Sequence, residues 1–100
     1  MIKVLLADDQ ELIRESLGFV LGAQGDIAVV GMAKNGREAI ELARDPDIRL
    51  IVLDVMMPEI DGLTACRTIR EFSDVPIIML TAGFCLTVSP STHFITVPFF

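Results

Sequence analysis

"LIVLDVMMPEIDG", residues 50–62, decides how this chain is read. Its first four residues, Leu50 to Leu53, are aliphatic without a polar break, and Asp54 ends the run. A strand that is apolar at every position is buried on both faces, which is the habit of parallel sheets rather than of half-solvated antiparallel ones. Asp54 therefore stands at the C-terminal end of a buried strand. Pro58 and Gly62 punctuate the loop that follows. A helix is expected from Leu63 to Phe72, with Leu63, Cys66 and Ile69 on one face.

The same pattern recurs on both sides of this stretch. Val4–Ala7 is an apolar run stopped by Asp8 and Asp9, and Val75–Leu80 is another, stopped by Thr81. Ile27–Val30 reads as a further strand. Between them, the pairs Leu12/Ile13, Ser16/Leu17 and Val20/Leu21 repeat every four residues, which predicts a helix from Glu11 to Leu21 ended by Gly22 and Gly25. Asn35 is placed to cap a second helix, Gly36 to Arg44, with Ala39, Ile40 and Ala43 on one face and Asp45-Pro46 ending it. Alternating apolar strands and amphipathic helices define an α/β fold, a doubly wound parallel sheet with helices on both faces. In such sheets functional residues collect beyond the C-terminal strand ends. Here those ends carry Asp8-Asp9, Asp54 and Thr81.

Composition limits the partners. A chain of 100 residues makes one domain. Its net charge of −6, without a basic run, argues against nucleic acid and anionic membranes as direct partners. The apolar run at the N-terminus is too short for a signal peptide or a membrane anchor. The uncharged C-terminal stretch is interrupted by Pro76, Pro90 and Pro98 and carries six Ser/Thr between Thr81 and Thr96, which disfavours insertion into a bilayer. Cys66 and Cys85 lack a C-x-x-C spacing and read as reduced thiols of a cytoplasmic protein.

Three acids brought to one sheet edge repel one another, and a divalent cation among them relieves the cost. Mg²⁺ suits the count, since it takes few protein carboxylates together with water and phosphate oxygens. The Thr81 hydroxyl on the same edge could bond a phosphoryl oxygen. Taken singly, each acid could be a plain loop residue, and Asp9 could be a helix cap. Taken together at matched strand ends, they point to a site.

These residues resemble the receiver domain of bacterial two-component response regulators. The matching pieces are "LLADDQ" (5–10), "LIVLDVMMPEIDG" (50–62) and "PIIMLTA" (76–82), with "VVGMAKNGREAIELA" (29–43) similar to the NarL/LuxR-type branch. The resemblance implies a flavodoxin-like fold of strand order 2-1-3-4-5. It implies Asp54 as phosphoacceptor, served by a sensor histidine kinase, in a Mg²⁺-dependent reaction used for transcriptional control. Asp9 and Asp54 would hold the metal directly, Asp8 through water and Met56 through its backbone carbonyl; Thr81 would contact the phosphoryl group and shift on its arrival. A receiver is not a stand-alone enzyme; at most it phosphorylates and dephosphorylates itself.

The resemblance covers residues 1–82 and breaks over 83–100. No Asp, Glu, Lys or Arg follows Asp74. "GFCLTVSPST" (83–92) is poor helix material, so the fourth helix is expected to be short or absent and the fifth to be missing. Laying "HFITVP" (93–98) on the family's fifth strand puts Phe94 at the switch aromatic and Val97 where a lysine belongs; the only lysines are Lys3 and Lys34. The tail is thus expected to be degenerate, truncated or frame-shifted. Loss of the last helix should uncover aliphatic side chains of the central strands and favour a homo-oligomer through that face. His93 reads as a strand-end residue, and Phe94, Phe99 and Phe100 as packing residues. The alternative is a receiver that keeps the pocket but serves as a non-switching interaction or dimerisation module. A phosphatase-like hydrolase would need a second acid as general acid and a basic group near the phosphate, and neither is evident.

Overall fold

The apolar runs pair into one open sheet. The computed structural model describes residues 1–81, 84–88 and 94–98, with the strand path alone for Thr81 and the last two segments. The elements are β1 (Ile2–Ala7), α1 (Glu11–Gly22), β2 (Ile27–Ala33), α2 (Gly36–Leu42), β3 (Leu50–Asp54), α3 (Gly62–Arg70), β4 (Ile77–Thr81), β5 (Phe84–Val88) and β6 (Phe94–Pro98). The strand order is β2-β1-β3-β4-β5-β6. β1 pairs in parallel with both β2 and β3, and β3 with β4. The parallel half has the order 2-1-3-4 of the flavodoxin-like fold, with the helices as crossovers.

Alternation along each strand divides the core. Leu5, Ala7, Ile51, Leu53, Ile77 and Met79 are buried with Ala39 and Ala43 of α2 and Cys66 and Ile69 of α3. Val4, Leu6 and Val52 face the other way, against Leu17 and Leu21 of α1. Local chemistry fixes two of the helix starts. Asn35 Oδ1 accepts from the Glu38 N–H at 2.8 Å, and Asp61 Oδ1 accepts from the Thr64 N–H at 2.8 Å, so α3 begins one residue earlier than its apolar face suggested. Position 10, not 9, is the N-cap of α1, and its side chain makes no capping bond. Asp9 is therefore not spent on a cap.

Beyond Thr81 the expected layout is corrected. Phe84–Val88 forms β5 antiparallel to β4, and Phe94–Pro98 forms β6 antiparallel to β5, so residues 94–98 are a sixth strand at the edge and not a fifth parallel one. Two residues separate β4 from β5, the usual length of an antiparallel hairpin and far short of a crossover. The uncharged, β-branched composition that is poor helix material is good strand material. The fourth helix is accordingly absent between β4 and β5. His93, Phe99 and Phe100 lie outside the described residues.

The expected uncovering of the central strands is partial: on the α1 face Val4 and Leu6 of β1 are fully buried, while Ile78 and Leu80 of β4 are only half-buried. Exposed apolar groups include Leu12, Ile13, Phe19 and Val20 on α1, and Val30 and Met32 on β2. No described helix is long and apolar enough to cross a membrane. Cys66 is a buried free thiol, and burial pushes its pKa up.

Candidate functional site

The sheet ladder places the acids. The Asp8 N–H donates to the Ala33 carbonyl at 3.0 Å, which continues the β1–β2 pairing past β1 and fixes the Asp8 backbone. Its side chain turns inward, and Oδ1 accepts from the Gln10 N–H at 2.9 Å. Arg14, one turn into α1, donates from Nη1 to the Asp8 carbonyl at 2.8 Å. On β3, Asp54 is the register partner of Leu80, and the Val55 N–H donates to the Leu80 carbonyl at 3.0 Å. Asp54 Oδ1 accepts from the Met56 N–H at 3.2 Å.

The result is one cluster. Carboxylate oxygens of Asp8, Asp9 and Asp54 lie within 4.8 Å of one another. Asp8 is buried, Asp54 half-buried and Asp9 exposed. Burial, which penalises the charged form, is the main reason that Asp8 and Asp54 are pushed above the ordinary carboxylate value of 3.8. The Gln10 and Met56 N–H groups pull the other way, and the neighbouring acids add to the rise. Arg14 partly relieves Asp8. The ion pairs found among the described residues, Lys3–Asp47 and Arg37–Glu59, do not include these acids.

An all-oxygen donor set carrying excess negative charge fits a hard divalent cation. Asp9, Asp54, Met56 and Asp61 also line an open pocket at this edge, so the cluster is reachable from solvent. Such a site can hold a dication and present a carboxylate oxygen beside it.

Glycine makes the next turn of chain possible. A Cβ on Gly62 would run into the Asp54 carbonyl and the Val55 backbone, and the Gly62 N–H donates to the Val55 carbonyl at 3.0 Å. Gly36, at the start of α2, lies equally close to the Ile60 backbone. Thr81 ends β4 one residue past Leu80, on the same edge as the acids. Phe94 does not share that edge. It pairs with Val88, which pairs with Ile77 at the start of β4, whereas Thr81 stands at the other end of that strand. Val97 is level with Cys85 and Leu80 but stands two strands away from β4.

Sequence reasoning missed three residues around the site. Arg14 bonds the Asp8 carbonyl six positions back, and no motif signals this. Arg37 pairs with Glu59, and Glu59 itself has φ 66°, a left-handed conformation in a residue with a side chain. Pro58 and Gly62 mark a loop there, yet nothing in the sequence assigns the positive φ to position 59.

A doubly wound sheet with an acid pair after its first strand and a third acid ending its third defines a class of signalling domain, and comparison with known proteins agrees. The family model described as the response regulator receiver domain matches residues 4–84. The chain belongs to that family. It is 45% identical over 83 residues to the transcriptional regulatory protein LiaR of Bacillus subtilis, covering 82% of this chain and 39% of that protein. It is 43% identical over 82 residues to a protein-glutamate methylesterase/protein-glutamine glutaminase of Methanococcoides burtonii, covering 82% of this chain and 23% of that protein. The chain thus spans well under half the length of these relatives. Among solved structures, the response regulator domain of Thermotoga maritima CheB superposes with a TM-score of 0.76 at 35% identity, covering 79% of this chain and 59% of that one. A CheX–CheY–BeF3–Mg²⁺ complex from Borrelia burgdorferi gives 0.74 at 30% identity, covering 78% and 60%.

Proposed function

We propose that this receiver domain is a Mg²⁺-dependent phosphoacceptor and that Asp54 carries the phosphoryl group. The observation that carries the reading is the gathering of three carboxylates within 4.8 Å, with Asp54 the half-buried member at the end of a central strand. Asp9 and Asp54 would hold the metal directly, Asp8 through water and Met56 by its backbone carbonyl. When bound, the ion supplies positive charge to offset that on the phosphoryl oxygens.

The chain's own residues do the rest. The Met56 N–H orients the Asp54 carboxylate. A free oxygen of Asp54 attacks phosphorus in line; the new P–O bond forms as the donor's P–N bond breaks, and the imidazole of a histidine kinase leaves with the electron pair. Gln10 and Arg14 hold the Asp8 end of the site in place. Thr81, at the neighbouring strand end, would contact the phosphoryl group. The Borrelia chain of similar fold, captured with BeF3 and Mg²⁺, supports both halves of this chemistry. Similarity to LiaR and the NarL/LuxR-like stretch 29–43 support a place in transcriptional control, in the cytoplasm. Self-association through the sheet face beside α1, where Ile78 and Leu80 of β4 are only half-buried, belongs to the same proposal. A monomer by sedimentation at high concentration contradicts that part.

No lysine stands where the family places one, so a charge-assisted contact worth about 1.5–3 kcal/mol is missing from the phosphorylated state. Incubation with Mg²⁺ and acetyl phosphate, followed by intact-mass analysis, is expected to show slow gain of one phosphoryl group, lost in Asp54→Asn. Absence of any gain on prolonged incubation, or a gain that survives Asp54→Asn, overturns the proposal.

A further inference from the structure

The loop from Val55 to Asp61 follows the phosphoacceptor and carries Met56, so its conformation governs the site. Two features hold it from outside. The first turn of α2 lies against it, with Gly36 packed on the Ile60 backbone so closely that no Cβ fits. The next residue, Arg37, donates from Nη2 to Glu59 Oε1 at 2.9 Å across 22 positions of sequence. At its inner end the Gly62 N–H closes the loop on the Val55 carbonyl. Glu59 is the described non-glycine residue with positive φ, at 66°. A side chain makes that conformation unfavourable, and it persists where the surroundings impose it.

From these observations we infer that Arg37 and Glu59 are positioning residues, a clasp by which α2 holds the β3–α3 loop in the shape that sets Asp54 and Met56 at the metal. The inference rests on the proposed Mg²⁺ site. Both partners are exposed, with side chains 62% and 48% accessible, so the pair contributes little to global stability. Its effect belongs to the local equilibrium of the loop instead.

Coulomb attraction alone gives the opposite sign for one of the two residues. Removing Arg37 takes a positive charge away from a cation site and, through space, should tighten Mg²⁺ binding. Removing the clasp should loosen it. Mg²⁺ affinity is measured by titration calorimetry on Arg37→Ala, Glu59→Gly, the double variant and the charge swap Arg37→Glu with Glu59→Arg, with urea midpoints and amide exchange recorded alongside. Arg37→Ala is expected to weaken Mg²⁺ binding about two- to fivefold, the range given by the usual worth of an exposed pair. Glycine at 59 keeps the positive φ available, so Glu59→Gly isolates loss of the tie. The double variant should be no worse than the weaker single one, the swap should recover most of the affinity, and urea midpoints should stay close to wild type.

Amides from Met56 to Ile60 should exchange faster in Arg37→Ala whether or not metal is present. Tighter or unchanged Mg²⁺ binding in Arg37→Ala, or additive losses in the double variant, overturns the clasp while leaving the phosphoacceptor reading intact. Failure of the wild-type protein to bind Mg²⁺ overturns that reading, and the clasp's role at the metal with it.

Discussion

The two faces of the sheet are built differently. On one, α2 and α3 pack on each other and seal a core that includes Leu5, Leu53, Ile69 and Met79. On the other, α1 is the one helix among the described residues, lying over β1 and β2; the buried residues of that cluster are Val4, Leu6 and Val52, and no residue of α1 is itself buried. The two strong caps, Asn35 and Asp61, belong to the helices of the dense face. So does the loop that shapes the site, reached from α2 by Arg37 and closed by Gly62 at the start of α3. The acid pair, by contrast, precedes α1. The difference teaches that the acid cluster draws its rigidity from one face of the domain and two of its three carboxylates from the other.

The largest expected effect is on the dense face. Ile69→Ala, at a fully buried position, should cost about 2–5 kcal/mol in urea unfolding, while Leu17→Ala on the α1 face should cost about 1 kcal/mol. Equal losses would erase the contrast. Next comes Gly62→Ala, where the added methyl meets the Asp54 carbonyl. About 1–3 kcal/mol of stability should go, together with Mg²⁺ binding. Lost stability with unchanged Mg²⁺ affinity would show that the loop and the site are uncoupled.

A smaller effect separates the acids from their surroundings. Asp8 and Asp54 have folded-state pKa values raised above the ordinary 3.8, so each binds its proton more tightly folded than unfolded. Their contribution is therefore most favourable below about that value and is lost as pH rises through the raised folded values. Metal-free protein should lose stability across that window, and Asp54→Asn should flatten the loss and stabilise the neutral protein by at most about 1 kcal/mol after solvent screening. Asp61, an exposed cap held low first by the Thr64 N–H, acts with the opposite sign: its contribution is present above the ordinary value and lost as pH falls below it. A metal-free profile that rises from mildly acidic to neutral pH would contradict the assignment of burial as the dominant cause.

Much of the fold was legible because the parallel strands are apolar throughout and each ends at a polar residue. The runs ending at Asp8, Asp54 and Thr81 gave the sheet edge, and Asn35 gave a helix start. Helix α1 was legible in extent but less so in orientation. Of its apolar pairs, Leu17 and Leu21 pack inward while Leu12 and Val20 point out, since a helix alone on a sheet buries only a narrow stripe. The tail was read correctly as poor helix material, yet Phe84–Val88 was not read as a strand and 93–98 was laid on a fifth parallel one. Pairing direction depends on connection length, and the two-residue step after Thr81 permits only a reversal. Arg14, Arg37 and Glu59 were illegible because their partners are set by tertiary contact, not by spacing.

Mg²⁺ titration by calorimetry addresses the acid cluster itself. If Asp8, Asp9 and Asp54 gather to hold a dication, the protein should take up a single Mg²⁺ saturably, and Asp9→Asn or Asp54→Asn should abolish uptake without unfolding the domain. Heats no larger than dilution, or undiminished binding in both variants, would show that these carboxylates share an edge for some other reason.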